Sequence, residues 1–99
     1  MKTIYINHIR LIPKNFTGIA KYPDKSKSWH KEGKRHREDG PAIELSDGTK
    51  YWYKEGKLHR EDGPARKLPD GTKEWYLKGL LHRIDGPAVE YPDGKKKMV

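Results

Sequence analysis

Cysteine is absent from this chain of 99 residues. That excludes a disulfide framework and a thiolate zinc site, and it points to a reducing, intracellular compartment, the cytoplasm. Hydrophobic residues make up only 32% of the chain, with a single phenylalanine, so a thick core is out of reach and stability has to come from many thin contacts. Long apolar runs are missing as well. The opening MKTIYINHIRLI is broken by Asn7, His8 and Arg10, which argues against a signal peptide, and nothing approaches the length of a membrane span. Acidic residues are scarce at one end only. Residues 1–37 hold ten Lys and Arg against two acids, Asp24 and Glu32, whereas from Glu38 onward twelve bases meet twelve acids. The formal charge of +8 therefore describes a basic end joined to a balanced body.

What is present in abundance is self-similarity. HREDGPAIELSDGTKYWYKEGKL is followed by HREDGPARKLPDGTKEWYLKGLL and HRIDGPAVEYPDGKKK, and a degraded copy precedes them. The period is 23 residues, giving units 13–35, 36–58, 59–81 and 82–97, about three and a half copies. A period this short implies stacked repeats, each burying its apolar face on the next. Trp29, Trp52 and Trp75 form one column, and Gly40, Gly63 and Gly86 another, where Asp-Gly-Pro reads as turn chemistry with glycine supplying unusual φ. Both columns are expected to be structural.

Within a unit, Pro41–Leu45 alternates and is bounded by turn residues, and Lys50–Lys54 is rich in aromatics. Both read as strands, joined through the hairpin signal Ser46-Asp47-Gly48-Thr49. Glycine or proline recurs too often for helices. The expected fold is all-β, an elongated stack of β-hairpins, with residues 1–14 as an N-terminal capping strand and 15–97 as one repeat domain. Two strands per unit at ~4.8 Å give ~10 Å per repeat and ~40 Å for four. At that spacing the tryptophans cannot touch one another, so intervening side chains, Leu45, Leu68 or Tyr22, are expected between them. A Trp52 buried in this way makes Trp52→Ala cost about 3–5 kcal/mol.

The pattern resembles the MORN repeat family. Gly33-Lys34-Arg35-His36 and Gly56-Lys57-Leu58-His59 match its Gly-Lys-x-His step, and Gly79-Leu80-Leu81-His82 keeps the spacing without the lysine. His-Arg-x-Asp-Gly-Pro-Ala replaces the family's His-Gly-x-Gly, and the hairpin turn falls two residues later, so the likeness is to a divergent form associated with phage and large-virus proteins. The resemblance covers about residues 13–97. It implies a single-layer β-ribbon used for protein contacts, in some members for membrane or phosphoinositide contacts, without catalysis. If the chain is viral, its compartment is the host cytoplasm.

His36, His59 and His82 are expected ~10 Å apart, too far to share a zinc whose nitrogens sit at about 2.0 to 2.1 Å, so their expected role is structural, hydrogen bonding to a turn or packing on tryptophan, and no metal is expected. Arg37/Asp39, Arg60/Asp62 and Arg83/Asp85 are two residues apart, placing each pair on one face for a local bridge. Gly-x-Ser-x-Gly, Walker and His-Glu-x-x-His motifs are all missing; with every notable side chain recurring by period, neither a catalytic residue nor a bound cofactor is expected.

Positions that differ between copies point to a partner surface: Ser28/Tyr51/Glu74, Ala20/Ile43/Arg66/Val89 and Lys31/Lys54/Leu77. The expected function is a non-enzymatic protein-binding module, with Tyr51, Tyr53 and Tyr76 as aromatic anchors and Lys21, Lys27, Lys31, Lys34, Arg35 and Arg37 as basic contacts. Size and resemblance suggest a phage inhibitor of a host defence complex. The alternative is nucleic-acid or nucleotide binding through the basic N-terminal end. Both a monomer and an edge-to-edge homodimer, joined near Tyr91 where the last unit lacks its tryptophan strand, are compatible with the pattern.

Overall fold

The computed structural model describes residues 2–6 and 12–98; Met1, residues 7–11 and Val99 lie outside them, and with them part of the segment 1–14 expected to cap the stack. Among the described residues there is no helix, hence none long and apolar enough to cross a membrane. The chain is all-β. Its strands are β1 (Thr3–Tyr5), β2 (Gly18–Lys21), β3 (Lys27–Lys31), β4 (Lys34–Arg35), β5 (Ile43–Glu44), β6 (Lys50–Tyr51), β7 (Tyr53–Lys54), β8 (Lys57–Leu58), β9 (Arg66–Lys67), β10 (Lys73–Glu74), β11 (Tyr76–Leu77), β12 (Leu80–Leu81), β13 (Val89–Glu90) and β14 (Lys96–Lys97).

The strands of the main sheet follow one another in chain order, with the short hairpins β7–β8 and β11–β12 set apart from it. The main sheet runs β1-β2-β3-β5-β6-β9-β10-β13-β14, with β4 attached to β3. All pairings are antiparallel except that of β1, which lies parallel to β2. The molecule measures 39 × 24 × 20 Å.

Turn chemistry sets the register. In Leu45-Ser46-Asp47-Gly48-Thr49 the Leu45 N–H donates to the Thr49 carbonyl (2.9 Å), the Thr49 N–H donates to Asp47 Oδ1 (2.9 Å), and Gly48 takes φ +96°. The same bonds recur at Leu68–Thr72 and Tyr91–Lys95. The first unit repeats them at Tyr22–Ser26, but Lys25 occupies the glycine position at φ +75°.

The strand expected over Lys50–Lys54 is broken at Trp52. Lys50–Tyr51 stay in the main sheet, while Tyr53–Lys54 leave it to pair with Lys57–Leu58 as a separate two-stranded hairpin; β11 and β12 do the same one unit later. Trp52 serves both parts: its N–H donates to the Ala65 carbonyl (2.7 Å) and its carbonyl accepts from the His59 N–H (2.9 Å). Each small hairpin turns through two residues of positive φ, Glu55 (+51°) and Gly56 (+82°) or Lys78 (+51°) and Gly79 (+81°), the geometry that matches strand twist.

The core is thin. Among the described residues Ala20, Ala42 and Ala65 are fully buried, Ala88 nearly so, and Ile6, Phe16 and Val89 complete the buried apolar set, with no large side chain fully enclosed. The tryptophans are only half-buried, and Leu45, one of the side chains expected between them, is 38% exposed. Arginine takes that place. The guanidinium carbons of Arg37, Arg60 and Arg83 lie 3.9, 4.1 and 3.9 Å from the ring centres of Trp29, Trp52 and Trp75, close enough for cation–π attraction. This placement also corrects the reason for the glycine column. Gly40, Gly63 and Gly86 are not in the positive-φ region; a Cβ on them would come within 2.8–2.9 Å of those guanidinium carbons. Glycine is there to make room for arginine.

Candidate functional site

Strand register sorts the candidate residues onto two faces, because side chains directly opposite in a ladder share a face. One row across the main sheet is Ile4, Ala20, Ser28, Ile43, Tyr51, Arg66, Glu74, Val89, Lys97. Two of the variable columns, Ala20/Ile43/Arg66/Val89 and Ser28/Tyr51/Glu74, thus interleave into a single line. The opposite face carries the tryptophans, the arginines that cover them, and lysines.

Around the variable row the aromatic side chains gather. Tyr51 and Tyr53 meet edge to face at 6.3 Å, Arg35 stands 5.7 Å over Tyr53, and Arg66 stands 5.5 Å over Tyr51. Arg66 also donates to Glu74 Oε1 (2.9 Å), which accepts from the Tyr76 hydroxyl (3.3 Å). That carboxylate holds Arg66 firmly protonated, while burial, followed by the Glu74 charge, pushes the Tyr76 hydroxyl above the usual phenol range. Next to this cluster is a groove of about 440 Å³ lined by Tyr22, Pro23, Asp24, Ser26, Lys27, Ser28, Arg35, Ile43 and Leu45. Its polar end is organised by Ser28 Oγ, which lies 3.2 Å from the Tyr22 hydroxyl and 2.8 Å from His30 Nε2. Burial, and then the Arg35 charge, hold the His30 imidazole below the ordinary histidine range.

The nine expected contact residues therefore separate. Arg35, Tyr51, Tyr53 and Tyr76 belong to the variable face, and each of the three tyrosines is half-buried rather than free. Lys21 and Lys27 are cross-strand partners on the other face, as are Lys31 and Lys34. Arg37 is committed to the scaffold: besides covering Trp29 it donates to Asp39 Oδ1 (3.0 Å), to the Pro41 carbonyl (3.1 Å) and to Glu44 Oε2 (3.3 Å). Arg60 and Arg83 bind Asp62 and Asp85 in the same way. The period assigns Ile43 and Arg66 to a variable column and Tyr22 and Leu45 to the packing between tryptophans; the cross-strand register that brings them to one surface is not written in it.

The histidines are engaged by turns. His36 Nδ1 accepts from the Glu55 N–H (2.9 Å) and its Nε2 lies 2.8 Å from Glu38 Oε1; His59 relates likewise to Lys78 and Glu61. Each thus pins the positive-φ turn of its own unit, a task that Thr17 Oγ1 performs for Glu32 in the first copy (2.8 Å). Both ring nitrogens of His36 and His59 are occupied in this way. No protein-family model, curated protein or solved structure matches this chain.

Proposed function

We propose that the chain is a non-enzymatic protein-binding module whose contact surface is the variable face, centred on Tyr51, Tyr53, Arg35, Arg66 and the adjoining groove. The observation that carries this reading is that two of the three variable columns interleave in one row of the sheet, whereas the tryptophans, the arginines over them and the glycines that admit those arginines are invariant. Stacking fixes the second set and leaves the first free to suit a partner. Tyrosine and arginine are the side chains that contribute most at protein interfaces, and half-buried tyrosines held by arginine present area already ordered, at little entropic cost. The likeness to MORN repeats and the small size favour the narrower version, a phage-borne inhibitor that occupies the surface of a host defence complex.

The test is capture of a partner from cells of the source by immobilised protein, in parallel with the double variant Tyr51→Ser/Tyr53→Ser and with Lys31→Gln/Lys34→Gln. A partner retained at 200 mM salt, lost with the tyrosine pair and kept with the lysine pair is the expected result. Capture that ignores the tyrosines and collapses between 50 and 200 mM salt would point to a phosphate-held ligand instead.

A further inference from the structure

From Glu38 onward the chain is neutral as a whole, yet the charges of the sheet are not mixed evenly in space. A second row crosses the main sheet on the face opposite the tyrosines: Tyr5, Lys21, Lys27, Glu44, Lys50, Lys67, Lys73, Glu90, Lys96. Six lysines stand in it against two glutamates, and both glutamates are already engaged, Glu44 by Arg37 (3.3 Å) and Glu90 by Arg83 (2.8 Å). At the middle of the row the repeat places Lys67 where its neighbours have glutamate. Lys50, Lys67 and Lys73 are consequently consecutive cross-strand partners, ~4.8 Å from strand to strand, and like charges directly opposite repel. Arg60 adds to the field, and with burial these neighbours hold the Lys67 ammonium below the ordinary lysine range.

From this arrangement we propose that the face carrying the lysine row binds the phosphate backbone of single-stranded nucleic acid along the 39 Å axis of the sheet. A row of regularly spaced cations whose own acids are committed elsewhere is complementary to a chain of regularly spaced anions, and its central repulsion is relieved when phosphates lie over it. The tryptophans beside the row are covered by arginines, so stacking on their rings is closed to bases and the contact is to backbone without base preference. A flexible single strand can follow a straight row, whereas a duplex backbone winds away from it. The site extends along the whole sheet, beyond the basic first copy, and it does not rest on the protein-binding reading, which uses the other face.

Fluorescence anisotropy with labelled dT20, titrated from 50 to 200 mM salt, reads the proposal directly. With up to six lysines engaged, the slope of log affinity against log salt is expected near −4, at about 0.7 per phosphate. Lys50→Gln/Lys67→Gln/Lys73→Gln should bring it to about −2 and cost tenfold or more in affinity at 100 mM salt. Lys54→Gln/Lys57→Gln/Lys78→Gln, with the same change in net charge on the small hairpins, should leave the slope within one unit of the parent. Lys67→Glu supplies a variant that restores the repeat's own Glu–Arg pairing; it should weaken dT20 binding while retaining or raising Tm, which separates loss of binding from loss of fold. Equal effects of the two lysine triples, tighter binding of a 20-base-pair duplex than of dT20, or retention on phosphatidylserine vesicles without dT20 binding would each overturn the proposal.

Discussion

At the scale of single residues, backbone conformation and burial set the clearest tests. Lys25 sits at φ +75°, where the corresponding positions in later copies are Gly48, Gly71 and Gly94 at +96°, +97° and +88°. A side chain in that region costs about 1–2 kcal/mol, part of which glycine returns through its larger unfolded-state freedom. Lys25→Gly is therefore expected to raise stability by about 0.5–1 kcal/mol in denaturant unfolding, and Lys25→Ala to give no gain. His30 makes the opposite kind of test. Its imidazole, half-buried against Phe16 (6.0 Å between rings), Ser28 and Arg35, is held below its ordinary value. As pH falls through about 6.5 the unfolded chain takes up this proton before the folded one, so the stabilisation is complete above that value and is lost below it. Thermal melts should show a drop in Tm between pH 7.5 and 5.5 that is smaller in His30→Gln than in the parent; an identical drop would remove His30 as the cause.

Individual strands and hairpins show how far the pattern of residues could be followed. The Asp-Gly hairpins were legible, because Asp47 and Gly48 announce by chemistry the bonds that they make. The break at Trp52 was not: Lys50–Lys54 has strand propensity throughout, and what ends the main-sheet strand is a tertiary matter, the arginine-covered ring and the backbone bonds to Ala65 and His59. The expected partner surface was half legible for the same reason. Variable columns could be recognised from the alignment of copies, but only register shows that Ile43, Tyr51, Arg66 and Glu74 adjoin, and only contacts show that Arg37 is tied up. The open edge expected near Tyr91 lies elsewhere too: Tyr91 is in the turn between β13 and β14, and β14, with Lys96 and Lys97, is the outer strand, a charged edge of the sort that discourages strand addition. Between strands, the Lys50–Lys67–Lys73 triple is the conspicuous discord. Lys67→Glu removes two like-charge oppositions and gives Arg60 the carboxylate that Arg37 and Arg83 already have. Since the site is partly solvated, a gain of about 0.5–1 kcal/mol is expected in urea unfolding, with Lys67→Gln gaining less.

At the scale of the whole molecule the decisive fact is that no large side chain among the described residues is fully enclosed. Cohesion then depends on contacts passed from unit to unit, and the tryptophan–arginine series is the most continuous of them: Arg37 covers Trp29 and lines one cavity with Trp52, while Arg60 covers Trp52 and lines the next with Trp75. Removing a ring at the centre cuts the series in both directions, and removing Trp75 cuts it nearer one end. In a protein stabilised by nearest-neighbour terms this difference is measurable. Trp52→Ala should cost about 2–3 kcal/mol, less than the about 3–5 of a fully enclosed aromatic because the ring is half-buried, and Trp75→Ala should cost less than that. The stronger signature is cooperativity. If the units fold as one body only through these contacts, Trp52→Ala should also broaden the unfolding transition and separate the loss of near-ultraviolet signal from Trp29 and from Trp75, since the two halves then melt on their own terms. A single sharp transition with a cost below about 1 kcal/mol would mean that the backbone ladder and the buried alanines, not the ring series, carry the coupling between repeats.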